Sequence, residues 1–275
     1  MEPDYQKKPR FSRAWPPRGR SIILDLIQVF GRAAIANSLD CEIDMGWVED
    51  LRSEMLKRGQ KVTATAIFLK AIATAQLKHP ASRAMMLPWG QTITFNEIVA
   101  GFTVEKMVDG EPVVFLGTIK DPQLKSLEEI AHELKQHVES DIADIPQLAI
   151  EYEFSKMPWL VRRFILGLGS VFPTIRLRCM PATFGLTSLG KFGISTGVPV
   201  CVCTSTFAVG SLEQRPVVRE GEVTIRPMVH MILNCDHRLL DGAPAARFLN
   251  DVRLLLEGGL AQHLRESAEK VASEP

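Results

Sequence analysis

Apolar positions recur at helical spacing over 21–36 (SIILDLIQVFGRAAIA), 46–59 (GWVEDLRSEMLKRG) and 126–142 (SLEEIAHELKQHVESDI), and predict amphipathic helices. Gly59 marks a C-terminal cap, and Ser126 with Glu129 forms a capping box. Residues 62–79 (VTATAIFLKAIATAQLKH) are apolar on nearly every side, which predicts a deeply buried helix capped by Thr63 or Thr65. Alternating or short apolar runs predict strands at 39–45, 92–95, 98–104 and 112–119, the last pair turning at Asp109-Gly110. Residues 182–193 read as a strand leading into a Gly-punctuated loop, and 198–212 as a buried strand. Residues 215–237 read as two strands around Glu220-Gly221. A last helix is expected over 242–259, with the apolar face Ala246, Leu249, Val252, Leu255 and Leu256 and a stop at Gly258-Gly259. Helices and strands intermix from end to end, so the pattern predicts one α/β domain over 21–268. Residues 1–20 are expected to be an extended arm and 269–275 a flexible tail.

Segment 154–178 interrupts this pattern. Within it a short helix, apolar apart from Arg162 and Arg163 and carrying Trp159, Phe164 and Phe172, is expected between Pro158 and Pro173. At about 14 residues that helix is too short to span a bilayer. A packed helix or subunit contact is the plain expectation, and peripheral contact with a membrane surface the sharper one.

The totals narrow the function classes. Lys+Arg and Asp+Glu are both 32, so the basic excess of a nucleic-acid binder is missing. The five Cys (Cys41, Cys179, Cys201, Cys203, Cys235) are odd in number and scattered, which argues against a disulfide framework. Cys201 and Cys203 alternate within an apolar run and are expected to be buried strand residues, and no metal is expected. The N-terminal residues have no apolar signal region and no stretch has the length of a membrane span, so a cytoplasmic protein is expected.

The candidate chemistry lies in NCDHRLLDGAPAARFL, residues 234–249, where His237 precedes Asp241 by four residues at the junction of an apolar strand and a helix. Strand ends in α/β folds present side chains from a rigid base. An imidazole is suited to general-base work, and a His there can take the proton of a thiol substrate. Gly242 is expected to permit a positive φ or a close backbone approach. The chain carries its own control, since His137 and Asp141 have the same spacing on the polar side of a solvated helix. A satisfied structural His remains the alternative for His237.

DHRLLDGAPAARFLNDVRLLLE resembles the DHR-x-x-DG motif of the acyltransferase catalytic domain of 2-oxo acid dehydrogenase complexes, the dihydrolipoamide acyltransferase family. Further stretches are similar to that family in the same order: VVFLGTIKDPQLKSLEEIAHEL, ATFGLTSLGKFG and EQRPVVREGEVTIRPMVHMILNCDHR. The resemblance implies a chloramphenicol acetyltransferase-like two-layer sandwich, α/β, with a mixed β-sheet flanked by helices. It implies an acyl transfer between thiols, of coenzyme A and dihydrolipoamide, or from acyl-CoA to a small acceptor. His237 would be the general base, and Asp241 the acid that holds an N-terminal arginine, for which Arg20 is the candidate. Thr187 would be the hydroxyl that stabilises the oxyanion, with Ser188 as the neighbour to test. In the family the base and the oxyanion donor come from different chains, so a homotrimer is implied, open to assembly into a larger cage. A non-catalytic trimeric or cage scaffold is the alternative.

The chain departs from the family pattern. No lipoylated lysine motif is present, so the expectation is a stand-alone domain served by a lipoyl-bearing protein in trans or by acyl-CoA directly. Thr stands at 187 where the family usually has Ser, the segment 154–178 is an insertion, and AIANSLDCEIDM replaces a Pro-His before the first strand.

Overall fold

The structure, a computed structural model, describes residues 18–265. Residues 1–17, most of the expected arm, and the expected tail 269–275 lie outside the described residues. Arg18–Arg20 are not extended, because they form the first turn of helix α1 (Arg18–Val29). The helix expected over 21–36 stops early. Gly31–Ala33 is a single 3-10 turn, and strand β1 (Ala36–Asp44) begins where the helix was expected to continue. The reason is tertiary, since all of β1 pairs with the final strand, from Ala36 against Asp236 to Asp44 against Met228.

The next elements follow the periodicity closely. Helix α2 (Gly46–Lys57) ends in a Schellman cap, with Gly59 at φ +80 and bonds from Gln60 N to Met55 O and Gly59 N to Leu56 O, each 2.9 Å. Helix α3 (Ala64–Lys78) is capped by Thr63, whose hydroxyl accepts from Ala66 N, and it is buried almost throughout. Small strands β2 (Ala84–Met86) and β3 (Thr92–Thr94) pair as a ribbon. Strands β4 (Val99–Val108) and β5 (Glu111–Lys120) form the expected hairpin, with Asp109 and Gly110 both at positive φ as its turn requires. Helix α4 (Leu127–Glu139) starts at the capping box of Ser126 and Glu129.

After helix α5 (Pro146–Ser155), the segment 154–178 folds mainly as two helices, α6 (Trp159–Gly169) and α7 (Pro173–Cys179). Its inner side is fixed by a buried ion pair, Arg162 Nε donating to Asp25 of α1 at 2.8 Å. Its outer side leaves Trp159, Leu160 and Phe164 exposed. Strand β6 (Phe184–Ser188) follows, then β7 (Ser205–Val209), β8 (Glu213–Arg219), β9 (Glu222–Asp236) and helix α8 (Gly242–Leu254).

Two expectations fail here. Residues 198–204 are irregular, so Cys201 and Cys203 are buried but lie outside any strand, their thiols donating to the carbonyls of Cys203 and Ala182. In α8 the buried face is Ala245, Phe248, Leu249 and Val252, while Ala246 is exposed.

The strands form one mixed sheet of seven, in the order β1-β9-β7-β6-β4-β5, with β8 joined to β9. β4, β6 and β7 run parallel and the remaining pairs antiparallel. The main core joins α2, α3, α4 and α8 to this sheet, while α1 and α6 enclose a second cluster around Leu166 and Met180. The mixed sheet flanked by helices is the architecture the sequence implied. Close packing also explains Gly101: a Cβ there would lie 2.7 Å from that of Ala182.

Candidate active site

Strand β9 ends in a turn that is pinned from several sides. Asp236 N donates to Thr204 O at 3.0 Å, and His237 N to Ile35 O at 2.7 Å. The buried Asp236 carboxylate accepts from Arg238 Nη2 at 2.6 Å and Nε at 2.9 Å, a forked clasp across one residue. Leu240 is fully enclosed and anchors the other side of the turn. The backbone of His237 is therefore fixed while its side chain stays 47% exposed, free to meet a substrate. Its Nδ1 lies 3.3 Å from Asp241 Oδ1. A neutral imidazole with its proton on Nδ1, beside that carboxylate, would keep the lone pair on Nε2.

Asp241 also begins α8, its carbonyl accepting from Ala245 N at 2.9 Å. It pairs with His237 and not with Arg20. Arg20 lies exposed in the first turn of α1. The end of α1 that approaches the turn is the opposite one, where Val29 and Phe30 share a cavity with Asp236 and Arg238. Arg20 is roughly 15 Å further along the helix axis. Gly242 has neither a positive φ nor a close neighbour, so it only begins the helix.

The control pair behaves differently. His137 Nδ1 bonds Glu133 O at 2.8 Å, and its ring meets the edge of Phe102 at a centroid distance of 5.2 Å. It is half-buried against that ring rather than wholly solvated, and Asp141 is not its partner.

Thr187 and Ser188 stand at the end of β6 on a cleft of about 890 Å³. Phe102 and Leu186 supply its apolar wall, and its charged lining is Lys61, Lys135 and Lys191 against Glu105 and Glu139, with Lys135 paired to Glu139 at 3.7 Å. These lysines come from separate parts of the chain, and no local signal joins them. Thr187 is part-buried, and among the described residues its hydroxyl has no hydrogen-bond partner. The hydroxyl is thus available to a ligand.

His237 and Thr187 are not neighbours within one chain. Thr187 pairs with Ala208, Ala208 pairs with Ile232, and His237 lies five residues beyond Ile232. At ordinary strand spacings the two are on the order of 20 Å apart, at opposite ends of the sheet.

The cysteines are poor nucleophiles. Burial pushes the thiols of Cys203 and Cys235 up to about 11 and that of Cys41 up to about 12. Among the described residues no cluster of His, Cys, Asp or Glu could hold a metal ion. No described helix is long and apolar enough to cross a membrane.

Comparison with known proteins bears on the family and the fold. Residues 179–264 match the family model of the 2-oxoacid dehydrogenases acyltransferase (catalytic domain). The chain is 27% identical over 227 residues to the dihydrolipoyllysine-residue acetyltransferase component of the pyruvate dehydrogenase complex of Corynebacterium glutamicum, covering 78% of this chain and 29% of that protein. It is 39% identical over 77 residues to the succinyltransferase component of the 2-oxoglutarate dehydrogenase complex of Saccharomyces cerevisiae, covering 27% of this chain and 17% of that protein. The chain thus spans well under half the length of these curated relatives. In fold it is similar to the dihydrolipoamide acetyltransferase of Azotobacter vinelandii, with a TM-score of 0.71 and 20% identity over 95% of this chain and 97% of that one. Through residues 179–264 the chain is matched to the acyltransferase catalytic domain of the 2-oxoacid dehydrogenases, and over nearly all its length it has the fold of that family's catalytic cores.

Proposed function

We propose that the chain transfers an acyl group between the thiols of coenzyme A and dihydrolipoamide, in sites shared by two copies of a homotrimer. The observation that carries this reading is the separation of His237 and Thr187. Each side chain is open to a ligand, and neither has the other within reach. A second copy that sets its β6 end against the first copy's β9–α8 turn brings a base and a hydroxyl donor together.

The roles follow from the chemistry. His237 Nε2 takes the proton of the attacking thiol, and the resulting sulfur attacks the thioester carbonyl carbon. Thr187 of the second copy donates its hydroxyl hydrogen to the oxyanion that forms. When the carbon–sulfur bond to the leaving thiol breaks, the imidazolium returns the proton to that sulfur. Asp241 orients the imidazole and supports its positive charge, weakly, because its carboxylate is 81% exposed. Lys61 and Lys191, for which no ion pair is found among the described residues, are the cations of the cleft that would meet a polyanionic carrier such as coenzyme A, since Lys135 is paired with Glu139.

Free thiol released from a panel of acyl-CoAs, with dihydrolipoamide as acceptor, tests the reading. Turnover by the wild-type chain that is lost in His237→Ala supports it. A well-folded trimer that turns over no pair contradicts it and leaves a scaffold.

A further inference from the structure

A second cavity, of about 90 Å³, lies behind the His237 turn, and Asp236, Arg238 and Leu239 form one of its walls. Arg176, from α7, forms another. Its guanidinium is buried, with Nη1 donating to Met180 O, Nη2 to Val202 O at 3.3 Å, and the ring of Phe30 at 4.4 Å. Among the described residues it has no carboxylate partner.

Other arginines nearby are treated differently. Arg162, equally buried, is matched by Asp25 at 2.8 Å. Arg238, on the same cavity, is matched by Asp236 at 2.6 Å, so the charge of Asp236 is already committed. A buried cation held by carbonyls, a ring and the thiol of Cys203, with no carboxylate among the described residues, is costly, and an anion entering the cavity would remove that cost. Burial already weakens the hold of Arg176 on its proton, in the direction expected of an uncompensated cation. Ser170 and Thr183 add hydroxyls to the lining, while Met86 and Cys203 keep the remainder apolar. That suits a carboxylate on a short methylene stem better than a hydrated inorganic ion.

We propose that Arg176 and this cavity bind a carboxylate at the far end of the transferred acyl group, making the chain selective for short dicarboxylic acyl thioesters. This rests on the acyltransferase reading above. The guanidinium receives the carboxylate, the cavity takes the stem, and the thioester end stays on the side of the turn that carries His237. An acyl group lacking the carboxylate leaves Arg176 unmatched.

The test compares succinyl-CoA with butyryl-CoA, equal in carbon count, using dihydrolipoamide as acceptor. In the wild-type chain kcat/KM for succinyl-CoA is expected to exceed that for butyryl-CoA by about 100-fold, as for a buried polar group that loses its partner. Arg176→Met should abolish that preference and keep butyryl turnover. Ser170→Leu, which narrows the cavity but keeps the charge, should do the same and serves if Arg176→Met does not fold. Separately, succinate but not succinamide should raise Tm of the wild type, and neither should raise that of the variants.

Preference for butyryl-CoA, or a succinyl preference that survives both substitutions, overturns the inference and leaves the acyltransferase reading standing. An Arg176-dependent succinate shift without turnover of either thioester overturns both, and identifies a site for a free carboxylate instead.

Discussion

At the residue scale, environment separates two His-Asp pairs of identical spacing. His237 is fixed by its backbone and open at its ring, whereas His137 is tied to Glu133 O and to Phe102. His237→Ala is therefore expected to lower kcat/KM for thiol release by about 10² to 10⁴-fold, the usual range for a general base, and His137→Ala to leave it within a few-fold. Comparable losses in both would contradict the assignment. Thr187→Ala should lower kcat by about 10²-fold while Thr187→Ser retains activity, because the hydroxyl and not the methyl is used. If instead Ser188→Ala is the damaging change, the donor is the neighbour.

Glu151 gives a prediction about stability. Burial raises its pKa from 4.5 to about 7, opposed by a bond from Leu116 N, and its Oε1 is enclosed without a partner among the described residues. Below pH 4.5 the group is protonated in both the folded and the unfolded chain, and stability is at its fullest. As pH rises through about 7 the folded chain must ionise a buried acid, and that contribution is lost. The loss is at most roughly 3 kcal/mol. Denaturation from pH 5 to pH 8 should show it, and Glu151→Gln should flatten the profile. An unchanged profile in that variant would assign the pH dependence to another group.

At the element scale, local signals and tertiary context divide the fold between them. The helix caps at Gly59, Thr63 and Ser126 and the positive-φ turns at Asp109-Gly110 and Glu220-Gly221 were legible because each is decided within a few residues. The end of α1 and the start of β1 were not, because long-range pairing with β9 recruits residues 36–38 into the sheet. The irregular run 198–204 looked like a strand by its apolar content. Pro199 instead gives its carbonyl to the side chain of Asn234 at 2.6 Å, outside any ladder.

The insertion was visible as an anomaly, but its partner was not, since Asp25 lies 137 residues from Arg162. Asp25 also accepts from Arg163 Nε at 3.1 Å, and removing this shared carboxylate strands the buried positive charge of Arg162. Asp25→Ala is expected to cost about 3–5 kcal/mol in chemical denaturation. A cost below about 1 kcal/mol, the value of a surface pair, would mean that the insertion is held by its apolar contacts alone.

At the scale of the whole molecule, the candidate base His237 was singled out from DHRLLDG, and the candidate hydroxyl Thr187 from the strand before the Gly-punctuated loop. The distance between them was not, since it depends on the register of β6, β7 and β9. The cleft lysines and the cavity of Arg176 were also beyond reach, because they collect residues from distant segments. The central claim is that one chain's His237 works with another chain's Thr187. Co-expression of His237→Ala with Thr187→Ala, each about 10²-fold or more impaired alone, tests it directly in the thiol-release assay. Random mixing into trimers should restore about a quarter of the wild-type activity, because each intact site then needs one chain of each kind in the right order. If the mixed trimers stay as inactive as the separate variants, the site is not shared between copies, and the account is wrong.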